Sequence, residues 1–296
     1  MLSLLIFLVT GCNCITIETV DHDLMPKKAV VLNCFTIRAE NGIPDNIIEY
    51  VGSMAAQLLD NDLDGSVDDP AVAALMNSNR EGYGIDIFLS ERSNAAENYQ
   101  TNSPAVLYLT EIDPNNPGIF QRDATFEEVM HNINYIQSIV YPTELGLTSF
   151  SNLALAMDIA RGGKFPSVPS TYPPSAWFTY DDETCEYECQ MIEYLYWGMG
   201  SYLGFFDDTG ICSQFSHEWK ICNAEDLEST DPALYAIITD PKLKLPRNKP
   251  GSTYNVGQPN NPNNPQQPTS ATTTINCSPI IAVGSYILII CYILAY

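Results

Sequence analysis

The sequence predicts an α+β domain in which short N-terminal strands precede a mainly helical, disulfide-stabilised region. Three observations carry this. β-branched and apolar runs cluster early, at 29–37, 85–89 and 106–109, while apolar residues at 3.6-residue spacing dominate from Phe126 onward. Strands gathered ahead of helices, rather than alternating with them, argue α+β. Four cysteines in the helical part, Cys185/Cys189 and Cys212/Cys222, are close enough in sequence to pair.

Residues 29–37 (AVVLNCFTI) read as one buried strand. The stretch 45–59 follows Pro44 and sets Ile47, Ile48, Val51, Met54, Ala55 and Leu58 at helical spacing. An acidic, glycine-bearing loop comes next, then a short helix at 70–77. Strands are expected at 85–89 and 106–109. Helices are expected at 126–140, at 151–161 (stopped by Gly162-Gly163), at 186–203 and at 232–238. The acidic run 180–183 is expected to serve the start of the 186–203 helix. Tyr172, Trp177, Phe178, Tyr180, Tyr194, Tyr196 and Trp197 line a peptide or sugar groove or, more simply, fill the core.

The two ends read as addresses. Residues 1–14 form a short apolar signal peptide, too brief to span a bilayer core of about 30 Å. No Lys or Arg precedes Lys27, so the usual positive flank is missing, and residues 8–12 also resemble a bacterial lipobox. Residues 275–296 carry an apolar tail with no Lys or Arg after Lys249. Small residues at 270–272, a polar spacer at 273–279 and that tail make up a GPI signal, with a single-pass anchor as the rival. Asn276 and Ser278 are alternative attachment residues, and Asn276-Cys277-Ser278 is a glycosylation sequon. Residues 250–274, rich in Pro, Asn and Thr, are expected to stay extended as a stalk. The expectation is an extracellular domain over 15–249, tethered to a membrane by a lipid anchor.

Of the nine cysteines, Cys12 falls in the signal and Cys277 and Cys291 in the removable tail; export makes disulfides the default for the rest, with 185/189 and 212/222 the favoured pairs and Cys34 left for Cys14 if cleavage falls before it. The formal charge of -23 disfavours a nucleic-acid partner and suits cations or basic partners.

Asp60, Asp62 and Asp64 alternate ahead of Gly65, with Ser66 and Asp68 following. Calcium takes six to eight oxygens, and this spacing turns three carboxylates and a backbone carbonyl toward one centre. The 60–69 loop resembles an EF-hand over its first nine positions. It departs from one at the twelfth, where Ala71 replaces the bidentate Glu, and at the fourth, where Leu63 is unusual. Calcium in a structural role is the expectation; a solvated acidic turn is the alternative.

The stretch 123–131 opens a helix whose apolar stripe is Phe126, Val129, Met130, Ile133 and Val140. Glu127 and His131 stand one turn apart on the other face, beside Glu128. In zinc metallopeptidases an HExxH helix offers two ligands one turn apart and a general-base Glu between them. Residues 127–131 (EEVMH) resemble that motif with Glu in place of the first His, and the likeness to a gluzincin-type, zincin-like metallopeptidase covers this helix alone. It implies Glu127 and His131 as metal ligands, Glu128 as the base and a glutamate from a later helix as third ligand. Glu193 fits that place, with Asp158 the runner-up; an ion pair with Arg161 or Arg122 is the plainer account of Asp158. The implied cofactor is zinc or another divalent metal, since Glu for His makes a harder, more anionic site. The competing account is a capping box with Thr125 as N-cap and Glu128 at its third position. The functional expectation is a cell-surface metal-dependent hydrolase acting on a peptide or protein. The alternative is a non-catalytic, calcium-binding adhesion or recognition protein.

Overall fold

A computed structural model describes residues 15–80 and 82–257. The signal peptide, the C-terminal tail and the stalk beyond residue 257 lie outside the described residues. The chain runs β1 (Thr16–Thr19), β2 (Lys27–Val31), β3 (Phe35–Ala39), α1 (Asp45–Leu59), α2 (Pro70–Ser78), β4 (Gly84–Phe88), α3 (Asn94–Asn98) and β5 (Val106–Tyr108). Helices follow: α4 (Thr125–Val140), α5 (Asn152–Ala160), α6 (Tyr187–Leu203), α7 (Thr209–Cys212), α8 (Ala224–Thr230) and α9 (Pro232–Thr239). The architecture is α+β: one five-stranded mixed sheet, in sequence order, and then helices.

The sheet is antiparallel from β1 to β3 and parallel from β3 to β5. Connection length explains the change. A three-residue link can only turn β2 back into β3, whereas the β3–β4 connection holds two helices and can cross over. The single strand expected at 29–37 is therefore two strands. Leu32 and Asn33 both take positive φ, 47° and 58°, and the Cys34 N–H donates to Val31 O at 3.0 Å. An apolar residue at such a turn hides it from a reading based on hydrophobic runs. At the parallel junction Gly84 sits so close to β3 that a Cβ would lie 1.9 Å from Thr36 O. In the same register Arg38 faces Asp86, and Nε meets the carboxylate at 2.5 Å with both side chains buried. Thr101 also donates to Asp86, and Ser103 Oγ accepts from Arg38 at 3.0 Å. A buried ion pair persists only when its other polar atoms are matched in this way.

α4 lies at the centre of the fold, against α1, α2, β4, β5 and α6; α6 in turn packs on α5, α8 and α9. Aromatic rings fill this seam. Phe126 stacks on Phe205 with centroids 4.1 Å apart, and Phe215 touches both Trp197 and Phe206. Trp219 is wholly buried, with its indole N–H on Ser201 Oγ at 2.9 Å. Core packing is thus the fate of Phe178, Tyr194, Tyr196 and Trp197, while Tyr172, Trp177 and Tyr180 stay half-buried. Disulfides join Cys185 to Cys189 and Cys212 to Cys222, with Cα atoms 5.3 and 5.7 Å apart, as proximity suggests.

Residues 250–257 fold back onto α1 and the acidic loop instead of starting a stalk. Gln57 exchanges two hydrogen bonds with the Gly251 backbone, and the Gly257 N–H donates to Leu63 O at 2.7 Å. Local composition suggests an extended chain here, but these tertiary partners hold it.

Cys34 is fully buried and has no disulfide partner among the described residues, outside which its expected partner Cys14 lies. Burial pushes the Cys34 thiol up to about 11. Below that pH it stays protonated, so a thiol reagent at pH 8 should modify Cys34 only after denaturant is added. Fast labelling of the folded chain at pH 8 would contradict this burial.

Candidate metal centre

α4 meets α6 through Phe126, whose ring lies 5.7 Å from that of Tyr196, and through its polar residues. There Glu127, His131 and Glu193 each bring a ligand atom within 4.8 Å of the others. His131 Nε2 lies 3.5 Å from Glu193 Oε2, and its Nδ1 lies 3.5 Å from Glu128 Oε2. His131 is 7 % exposed and Glu193 9 %. Neither Nε2 of the one nor Oε2 of the other finds a hydrogen-bond partner. Tyr196 closes the inner side: its hydroxyl bonds Glu127, and its ring meets the imidazole edge-on at 5.7 Å.

Electrostatics follow from the enclosure. Burial first, and the Glu193 charge second, push Glu127 up to about 8, against the pull of His131. Burial alone would lower the His131 imidazole, but Glu193 and Glu128 outweigh it and hold it well above the usual histidine range. Tyr196 is raised by burial and then by Glu127 and Glu193. Carboxylates outnumber cations here. A divalent ion would offset that charge and fill the valence of the two unpartnered atoms, so the residues present fit a metal.

The capping box does not form. The N-cap of α4 is Ala124, with no side-chain bond. The Thr125 hydroxyl instead donates to Asp123 Oδ1 at 2.7 Å, and Glu128 turns its side chain toward His131. Its carboxylate meets Nδ1, on the side of the ring away from the nitrogen that faces Glu193. Asp158 joins no such group and accepts the Tyr187 hydroxyl at 3.0 Å. The 180–183 run does not cap α6, since the N-cap is Glu186 without a side-chain bond and Asp182 accepts from Thr184. The sequence reading missed Asp123. It is 4 % exposed and accepts from Tyr50 Oη (2.6 Å), the Asp113 and Gly118 N–H groups, and Thr125. It ties α1 to the entry of α4; a lone Asp before a helix start was its only signal.

In the acidic loop Asp60, Asp62 and Asp68 converge within 4.8 Å. Asp60 accepts the Asp64 and Gly65 N–H groups at 3.1 and 2.8 Å, and Gly65 then turns the chain with a positive φ of 92°. Asp64 is not in the converging trio; its Oδ1 takes the Ser66 N–H at 2.8 Å. Leu63 stands at the fourth position because its side chain is buried, 5 % exposed. Ala71 lies in the first turn of α2, where its N–H bonds Asp69. The Tyr254 hydroxyl, from the returning C-terminal segment, donates to Asp60. Asp62 is raised by partial desolvation and then by Asp64.

An open groove of about 400 Å³ between α5 and α9 is lined by Leu155, Ile159, Ala236 and Ile237 among others and includes none of these groups. Set against known protein families, curated proteins and solved structures, the chain matches none.

The Glu127 shift sets a pH dependence. A carboxyl whose folded pKa is raised stabilises the fold below the unfolded value near 4.5, and that stability is lost as pH rises through about 8. Metal-free E127Q should therefore melt like the parent at pH 4 and above it at pH 8. Equal melting temperatures at pH 8 would show that Glu127 carries no buried charge.

Proposed function

We propose that this chain is a surface-held, metal-dependent hydrolase of zincin-like type whose cation is bound by Glu127, His131 and Glu193. One observation carries the reading: Glu127, His131 and Glu193 bring one ligand atom each within 4.8 Å of one another, and the facing atoms of buried His131 and Glu193 have no hydrogen bond beyond their own 3.5 Å ion pair. An unsatisfied buried polar atom costs about 1–3 kcal/mol, and a cation among these donors would offset the weak pairing. One nitrogen and two carboxylates resemble catalytic zinc sets in which a glutamate joins histidines, and such oxygen-rich donors also suit other divalent ions. A cation there supplies Lewis acidity toward a carbonyl or a water.

The protein's own groups do the rest. Tyr196 steadies Glu127, and Glu128 holds the imidazole through Nδ1, the contact that sets ring orientation and ligand basicity in histidine metal sites. That contact supports a positioning role for Glu128 in place of the base role that the motif implies. A peptide bond is the proposed target, on the strength of the motif alone. The cell-surface setting rests on the two terminal segments.

Elemental analysis and peptide hydrolysis test this together. The purified chain should carry one transition-metal equivalent that H131A loses, along with hydrolysis. E128Q should weaken metal affinity by roughly 10–100-fold; full metal with no turnover would return Glu128 to the base role. A parent chain with no such metal would sink the reading.

The convergence of Asp60, Asp62 and Asp68 favours a second reading, a calcium-stabilised surface protein without catalysis. Calcium at about 100 times its Kd stabilises a fold by about 2.7 kcal/mol. Added Ca²⁺ should therefore raise the melting temperature of the parent, and of D62N far less. An unmoved parent would reduce the loop to a solvated turn.

A further inference from the structure

A second group of donors stands apart from the α4 helix. Asp181, from the segment leading into α6, meets His217 and Glu218, from the segment after α7, with one ligand atom of each within 4.8 Å. Backbone bonds lock the two segments together. Phe178 and Trp219 form an antiparallel bridge, the Thr179 N–H donates to Glu218 O at 2.7 Å, and the Thr179 hydroxyl donates to His217 O at 2.5 Å. Buried Trp219 anchors one side, and the Cys212–Cys222 disulfide encloses the stretch that carries His217 and Glu218. The imidazole already meets Glu218, with His217 Nε2 3.2 Å from Glu218 Oε1.

The bland account is an exposed His–Glu pair, which contributes little. One observation goes beyond it: a third donor, Asp181, arrives from a separate segment, so the three ligand atoms converge through the tertiary fold.

We propose that Asp181, His217 and Glu218 form a second divalent-cation site, distinct from the Glu127/His131/Glu193 centre, one that takes a borderline transition-metal ion such as Zn²⁺. An imidazole between two carboxylates favours such ions over Ca²⁺ or Mg²⁺, which prefer oxygen alone. Exposure of His217 and Asp181 leaves room for water to complete the coordination. The site does not require the buried centre to be catalytic.

Zinc stoichiometry tests it. The full-length chain is stripped with chelator, saturated with Ca²⁺ to occupy the 60–69 loop, and titrated with Zn²⁺ by calorimetry. H217A should bind one equivalent fewer than the parent, and D181N should lose the same equivalent; both side chains are exposed, so neither change removes packing. H131A should lose a different equivalent and keep the His217-dependent one. A loss in H217A alone keeps the Asp181/His217/Glu218 site and removes the buried one. An H217A protein that binds as many Zn²⁺ ions as its parent, with equal affinity, overturns the proposal.

Discussion

The pressing of α4 against α6 is the constraint on which the rest of the molecule turns. It forces His131 and Glu127 of one helix against Glu193 of the other, inside a shell of aromatic rings. Moving charge out of water costs several kcal/mol per ion unless partners compensate. Here compensation is partial: Glu128 and Tyr196 meet two of the groups, and the facing atoms of His131 and Glu193 have only each other, at 3.5 Å. A fold that keeps such a point has to hold it by packing, and the stacked Phe126/Phe205 pair with the Trp197, Phe206 and Phe215 cluster does so.

Charge explains why cations recur in every reading of this chain. A net charge of -23 repels itself in a compact state. The described residues gather carboxylates at the buried centre, in the Asp181/His217/Glu218 group and in the acidic loop. The buried Arg38–Asp86 pair is the opposite case, since it finds its counter-charge within the sheet and needs nothing added.

The acidic loop shows how distant chain completes a local motif. Local turns shape it: Gly65 allows the bend, and Asp60 accepts two loop N–H groups. Residues 247–257 then close over it. The Arg247 N–H bonds the Asn61 side chain, Tyr254 bonds Asp60, and Val256 packs on Gly65. The helical frame of an EF-hand-like loop is present, α1 before it and α2 after it, but the residue nearest to completing it comes from nearly two hundred positions downstream.

Periodicity alone determined the α+β class, the positions of α1, α4, α6 and α9, and the one-turn spacing of Glu127 and His131, because helical repeat is a local property of the chain. Proximity in sequence was enough for both disulfides. The β2–β3 turn was not legible, since Leu32 and Asn33 sit inside an apolar run and their positive φ comes from strand pairing. The short helix α8 and the edge strand β1 lacked a clear repeat. The direction of the Glu128 carboxylate, the hub at Asp123, the capture of residues 250–257 and the meeting of Asp181 with His217 and Glu218 were decided by tertiary structure alone. In each case the partners are far apart in the chain or a side chain chooses between two nearby partners, and only packing brings such groups within hydrogen-bond or ligand distance.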